Sequence, residues 1–380
     1  MEFKNIFKGL DSLYVSFNGT LKEGLTEFLN EKKTLAQSDD EKKQALATMD
    51  IEDHHFEVID KGAGYYTYIL ADNWYQIKIT ASKKQKVPTI YVQIKSELLN
   101  RAGHEYSIYK LREIVSKLLV LIEEEKVSRA DIFVDFVTDA DIERIEEQSL
   151  VTKTRKKDKH WYGGFTGWSL GLGGIISARL YDKTVEIKKS QKDYLIKFWE
   201  YGGWDPSERV WRLEFQLKRE FLGQMHIKTY SDLLSKTNDI WQYCTCNWLK
   251  LAIDDDTQNR TRWEIDPLWK AIQGVRFLDG AFTGVKREVN KERIPSDKTL
   301  YQNGIIGYTT SFAAREGLDD IDEKAVIKCW NEALDHLKRE TRGKDKEYLS
   351  SKINLKKKRY NKVLSKTTGH IANLTEKPQP

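Results

Sequence analysis

Residues 210–218 read Val-Trp-Arg-Leu-Glu-Phe-Gln-Leu-Lys, and from Trp211 onward apolar and polar side chains alternate without a break. A helix cannot use that period, because its neighbours on one face lie three and four apart; a strand uses it directly. Trp211, Leu213, Phe215 and Leu217 then share one face, and Arg212, Glu214, Gln216 and Lys218 share the other. A strand with one wet and one dry face belongs in an antiparallel sheet covered on one side. Residues 129–136 (Arg-Ala-Asp-Ile-Phe-Val-Asp-Phe) alternate likewise except at Phe133. Asp131 and Asp135 fall on one face with Phe133 between them, and Ile132, Val134 and Phe136 on the other. Residues 179–183 (Arg-Leu-Tyr-Asp-Lys) place Arg179, Tyr181 and Lys183 on one face of a third strand.

The rest of the chain supplies helices and more strands. Alternation predicts strands over 11–19, 55–80, 89–95 and 175–185. Helical spacing predicts helices within 21–49, where Ser38-Asp39-Asp40-Glu41 looks like a start, and over 106–125, 194–199, 233–251, 267–291 and 323–339. The second half repeats the theme of the first, as a loose internal duplication would. The expected class is α+β: helices packed on a curved, mainly antiparallel sheet, followed by a helical region. The expected divisions are a catalytic domain over 1–225, a helical region over 226–345 and a basic tail over 346–380.

Composition narrows the function classes. The longest purely apolar run is Leu118 to Ile122, too short to span a bilayer, so no membrane partner is expected. The first residues lack the apolar core of a signal peptide. Three cysteines without framework spacing fit a reducing compartment, so a cytoplasmic location is expected. Residues 338–366 hold 12 basic and 3 acidic residues, whereas the remaining 351 hold 51 basic and 55 acidic. A basic segment on a near-neutral body suits a polyanion such as nucleic acid, or is simply a solvated helix face. The 43 aromatic residues add a capacity for base stacking beyond what a core needs.

Three polar strand faces on one sheet would bring together a tyrosine, carboxylates and cations. A tyrosine hydroxyl ionises near pH 10, and the flanking Arg179 and Lys183 would favour its phenolate and hold a phosphate. Asp131, Asp135 and Glu214 are hard oxygen donors suited to Mg²⁺ or Mn²⁺. The competing readings are an exposed strand face, ion pairs between the acids and Arg129 or other basic residues, and the solvent side of the sheet. Other chemistries lack their signatures. Gly171-Leu172-Gly173-Gly174 is not followed by Gly-Lys-Ser/Thr, so it is no phosphate loop of that type. No Gly-x-Ser-x-Gly elbow and no His-Glu-x-x-His helix occur.

Taken with their order and spacing, SRADIFVDF (128–136), ARLYDKTVEI (178–187) and VWRLEFQLKREFL (210–222) resemble the Rep_trans replication initiation factor family, which comprises rolling-circle plasmid and phage initiators and the MOBT relaxases of integrative conjugative elements. TIYVQIKSELL (89–99) and WKAIQGVRFLDGAFTGVKRE (269–288) are similar to that family as well, so the likeness runs from about 11 to 288. The resemblance implies origin-specific nicking of one DNA strand, a 5′-phosphotyrosine intermediate, a free 3′-hydroxyl and a divalent metal, Mg²⁺ or Mn²⁺. It implies Tyr181 as nucleophile and Asp135, Glu214 and Asp131 as metal ligands. Arg179, Lys183 and Arg212 would then hold the scissile phosphate. It also implies DNA as partner, as an origin hairpin or single strand, with a host helicase and a homodimer as further expectations. Asp182 stands where some members carry Asn, which leaves its role open. Tyr162 and Tyr194 are the alternative nucleophiles should the strand phase at 179–183 slip by one residue. The alternative function is sequence-specific DNA binding on the same scaffold without chemistry.

Overall fold

The computed structural model describes residues 1–81, 87–120, 122–255, 257, 259–277 and 298–360. The chain divides into two compact units, Met1–Glu288 and Val289–Pro380.

The first unit is built on β1 (Phe3–Phe17), β2 (Thr20–Leu21), β3 (Thr48–Ile51), β4 (His54–Val58), β5 (Tyr68–Ala71), β6 (Tyr75–Ile79), β7 (Ile90–Ile94), β8 (Leu119–Val120), β9 (Lys126–Thr138), β10 (Leu150–Thr152), β11 (Lys157–Trp161), β12 (Phe165–Leu170), β13 (Ile176–Asp182), β14 (Trp211–Lys218) and β15 (Leu249–Leu251). Eleven of them form one sheet in the order β11-β12-β13-β14-β9-β1-β7-β6-β5-β4-β3, and all its pairings are antiparallel. The expected α+β class is the observed one.

The order of strands contains a repeat. Long β1 is followed by the meander β3 to β7, whose last strand returns to pair with β1. Long β9 is followed by the meander β11 to β14, whose last strand returns to pair with β9. The two halves meet where β1 pairs with β9, the most extensive contact in the sheet.

Ten α-helices lie among the described residues of this unit: α1 (Leu25–Ala36), α2 (Glu41–Gln44), α3 (Ser96–Arg101), α4 (His104–Leu118), α5 (Lys183–Ser190), α6 (Tyr194–Tyr201), α7 (Arg219–Gln224), α8 (Tyr230–Ser235), α9 (Thr237–Gln242) and α10 (Pro267–Gln273). α1 and α4, with α7 to α10, bury Leu29, Leu111, Ile114, Phe221, Trp241 and Trp269 in one continuous core with the apolar face of β9, β13 and β14. The division expected at residue 225 therefore falls inside the first unit, because the helices beyond it fill the same core as the sheet. α5 and α6 make a second, smaller cluster of Ile187, Leu195 and Trp199 with Ile6, Val137 and Val210. Asp40 caps α2 by accepting from the Lys42 amide at 2.9 Å, the start expected at Ser38–Glu41.

The second unit is helical over its described residues: α11 (Gly307–Arg315), α12 (Glu323–Glu340) and α13 (Asp345–Tyr360) follow a π-helical segment, Lys298–Ile306. The basic stretch 338–366 extends past the described residues, as do positions 278–288 of the family-like text.

Candidate active site

The register of three neighbouring strands assembles the polar face. Tyr181 of β13 lies opposite Arg212 of β14, and Arg212 lies opposite Asp135 of β9. The next row is Arg179, Glu214 and Phe133, and the one after it is Ser177, Gln216 and Asp131. Residues opposite one another share a face, so Arg179, Tyr181, Arg212, Glu214, Asp131 and Asp135 all project to one side of the sheet, the strand phase read from the sequence.

Arg212 and Asp135 are fully buried and tightly joined. The guanidinium donates Nε to Asp135 Oδ1 at 2.5 Å and Nη2 to Oδ2 at 2.8 Å. Trp199 of α6 adds its indole N–H to Oδ2 at 2.8 Å, and the Phe133 ring lies 3.7 Å from the guanidinium carbon. Both oxygens of Asp135 are thus taken by charged or indole donors, and Arg212 turns its charge inward. Asp131 is likewise held by Arg129, with Nε donating to Oδ1 at 2.8 Å and Nη2 to Oδ2 at 2.5 Å. These are the ion pairs that competed with metal ligation in the sequence reading.

A carboxylate that the alternation did not single out completes the network. Asp11 sits in a bulge of β1, between the pairs Leu10 with Ile132 and Ser12 with Asp131. The extra residue re-aims its side chain. Arg212 Nη1 donates to Asp11 Oδ1 at 2.7 Å, Ser96 Oγ donates to the same oxygen at 2.9 Å, and Lys192 Nζ lies 3.5 Å from Oδ2. Burial opposes its ionisation, but Arg212, Lys192 and Lys183 together hold Asp11 well below the usual carboxylate range. An acid at the start of a predicted strand was the available signal; the bulge was not visible.

Lys183 arrives differently from expectation. β13 ends at Asp182, whose carboxylate accepts from the Val185 amide at 3.0 Å and caps α5. Lys183 is therefore the first helical residue rather than the fifth of a strand face, and it is buried. Its ammonium pairs with Glu186 and still comes to 3.5 Å from the Tyr181 hydroxyl. Burial, then the like charge of Arg212, lowers its proton affinity. The cap also gives Asp182 a role.

Tyr181 is half-buried and donates its hydroxyl to Glu214 Oε2 at 3.1 Å. Its acidity moves against the sequence expectation. Burial and the Glu214 carboxylate raise its pKa well above 10, and Arg212 does not offset them. Glu214 is pushed up to about 7 by burial and by the charges of Asp11 and Asp131. The pair is thus a neutral phenol hydrogen-bonded to a carboxyl that titrates near neutrality.

Gly167 of β12, opposite Tyr181, carries no side chain between His160 and Tyr181 across the sheet. A Cβ there would lie 2.3 Å from Leu180 O and 2.7 Å from Tyr181 Cα, and its φ is +145°. A cleft of about 420 Å³ opens beside Tyr181, lined in part by His160, Tyr162, Ser169, Arg179, Glu186 and Lys189. Arg179 is exposed. Of the alternative tyrosines, Tyr162 is exposed, and Tyr194 on α6 meets Ser96 Oγ at 2.8 Å.

The donor set fits a metal at one position. Asp135 does not fit, since a cation would have to displace Arg212 and Trp199, and Asp131 would have to leave Arg129. Glu214 fits, because a cation offsets the burial and the Asp11 and Asp131 charges that raise its pKa, and one of its two oxygens is enough for the Tyr181 hydroxyl. Among the described residues no group of three or more His, Cys, Asp or Glu could hold a metal ion. Among the described residues, too, no helix is long and apolar enough to cross a membrane.

The sequence matches no known family profile and no curated protein. Among solved structures the chain is similar to a rolling circle replication initiator protein from Geobacillus stearothermophilus, at 15% identity, covering 73% of this chain and 99% of that one, with a TM-score of 0.40. Likeness at that level carries no activity from one chain to the other.

Proposed function

We propose that the protein nicks and rejoins one strand of DNA at the origin of a mobile element, with Tyr181 as nucleophile. The hydrogen bond from Tyr181 to Glu214, at 3.1 Å with Lys183 3.5 Å from the same hydroxyl, carries this reading. A nucleophile, a base in contact with it and a neighbouring cation make up the minimum equipment for attack on a phosphodiester. The family resemblance of the three strands points the same way.

The acidities define the order of events. Tyr181 rests as a phenol, so its proton must leave as the oxygen attacks phosphorus. Glu214, titrating near neutrality, is matched to that task. The Tyr181 oxygen bonds to phosphorus, the bond from phosphorus to the 3′-oxygen breaks, and a 5′-phosphotyrosine and a free 3′-hydroxyl result. Lys183 stabilises charge on the attacking oxygen, and the departing 3′-oxygen, on the far side of phosphorus, takes its proton from water. The 3′-hydroxyl of a strand can reverse the step, so rejoining needs no other energy source. Arg179, exposed beside the cleft, is placed to take a phosphate; Arg212 acts from within by fixing Asp135 and Asp11.

Mg²⁺ or Mn²⁺ would be held by Glu214 together with phosphate oxygens and waters, the way magnesium is held by one or two carboxylates and its substrate. When bound, the ion neutralises charge on the scissile phosphate. A host helicase, a second copy of the chain and a cytoplasmic setting are proposed on the resemblance alone.

One observation favours the alternative of DNA binding without chemistry: Asp131, Asp135 and Arg212 are all satisfied in internal pairs. An assay on labelled single-stranded origin DNA, with Mg²⁺ or Mn²⁺ and with EDTA, separates the two. A protein–DNA adduct that Tyr181→Phe abolishes supports the nickase. Binding without cleavage on any origin fragment overturns it.

A further inference from the structure

The hairpin joining β11 to β12 exposes two large rings in succession, Trp161 at 66% and Tyr162 at 65%. Large rings are normally buried, and neighbouring exposed ones call for a partner. β11 is the outermost strand of the sheet, so nothing within the sheet lies beyond it.

The rings are held rather than loose. Lys159 Nζ lies 5.3 Å from the centre of the Trp161 ring and 5.1 Å from that of Phe165, and Phe165 meets Trp161 edge-on at 6.0 Å. Lys189 of α5 stands over the Tyr162 ring. Residues 153–161 contain five basic residues and one acidic one. Arg155, Lys159, Lys188 and Lys189 are exposed. The surface therefore alternates flat apolar faces with positive charge.

That combination fits one occupant. Phosphates pair with the cations, and unstacked bases lie on the rings. A duplex has no free base faces to offer, so the surface suits a single strand. The surface also leads somewhere: Tyr162 and Lys189 line the same cleft as Tyr181.

We propose that the β11–β12 hairpin and the facing end of α5 seat single-stranded DNA on its way into the Tyr181 cleft, with Trp161 and Tyr162 as stacking platforms. This rests on the nickase reading for its destination, but its binding role is independent of cleavage.

The test uses the full chain carrying Tyr181→Phe in EDTA, so that cleavage cannot intrude. Fluorescence anisotropy follows a labelled oligothymidylate and a duplex of equal length. Trp161→Ala with Tyr162→Ala is expected to weaken the single strand about tenfold per ring, with duplex binding unchanged and the salt slope retained. Trp161→Phe should restore most of the loss. Lys159→Gln with Lys189→Gln is expected to lower the magnitude of the salt slope by ~1.4, for two phosphate contacts on a single strand. Unchanged single-strand affinity in the ring variants, or an equal loss for duplex, overturns the proposal. If the native chain nicks nothing while the ring variants still lose single-strand affinity, the nickase reading fails and this surface stands. If nicking occurs and the ring variants bind and nick like the native chain, this surface fails and the nickase reading stands.

Discussion

Arg212 and Asp135 form a fully buried bidentate pair, at 2.5 and 2.8 Å, in the same cross-strand row as Tyr181. Removing one partner of such a pair strands a charge in the core, which costs about 3–5 kcal/mol. Arg212→Ala should therefore lower the denaturation midpoint sharply, and Asp135→Asn should lower it with no separate effect on metal response. Chemical denaturation followed by tryptophan fluorescence measures both. An Asp135→Asn protein of native stability that no longer responds to Mg²⁺ would return Asp135 to the metal ligands.

Glu214 should set the pH profile. Its pKa is raised to about 7, so the competent, ionised base accumulates as pH rises through 7. Single-turnover nicking should climb tenfold per pH unit up to the pKa of Glu214 and level off above it, and because a bound cation favours the ionised carboxylate that limb should move below pH 7 as Mg²⁺ is raised. Glu214→Gln should remove that limb and most of the rate.

The same shift makes a stability prediction of definite sign. A folded-state pKa above the unfolded value of 4.5 gives stability that is present below pH 4.5 and is lost as pH rises through about 7. Asp11 acts oppositely: its lowered pKa gives stability above the ordinary carboxylate range that is lost as the medium becomes acid. Thermal melts at pH 5 and pH 8 should show Glu214→Gln gaining on the native chain at the higher pH. Equal gains at both pH values would contradict the assignment.

Gly167 should tolerate no side chain. Its φ of +145° and the 2.3 Å approach to Leu180 O make Gly167→Ala strained as well as crowded. The expected loss is about 1–3 kcal/mol, with nicking reduced beyond what stability explains, because Tyr181 Cα is the next atom in the way. A melt and a single-turnover assay on the same preparation read both effects.

Particular residues show how far the sequence reaches. β9 and β14 were legible because apolar and polar side chains alternate along them, and that alternation fixes which side chains share the face of Tyr181; that the polar face is itself buried does not show in the pattern. Lys183 was misplaced because alternation does not announce where a strand stops; the Asp182 cap does, and Asp-Lys-Thr-Val was read as more strand. Asp11 was missed as part of the site because a bulge breaks the very period used to assign faces. The acidity of Tyr181 came out reversed because two nearby cations are visible in sequence, whereas desolvation and a cross-strand Glu214 appear only once the sheet is formed. Helical spacing marked 233–251 and 267–291 but missed α7 and ran on into β15, and nothing in it says that these helices cover the same sheet.

The most direct test of the account is to map the covalent bond. The native chain is reacted with single-stranded origin DNA and Mn²⁺, the DNA is digested, and the nucleotide-bearing peptide is identified by mass spectrometry. The account predicts a phosphodiester remnant on the peptide containing Tyr181, and its loss in Tyr181→Phe. A remnant on Tyr162 or Tyr194 would contradict it, as would cleavage that leaves no nucleotide on the protein.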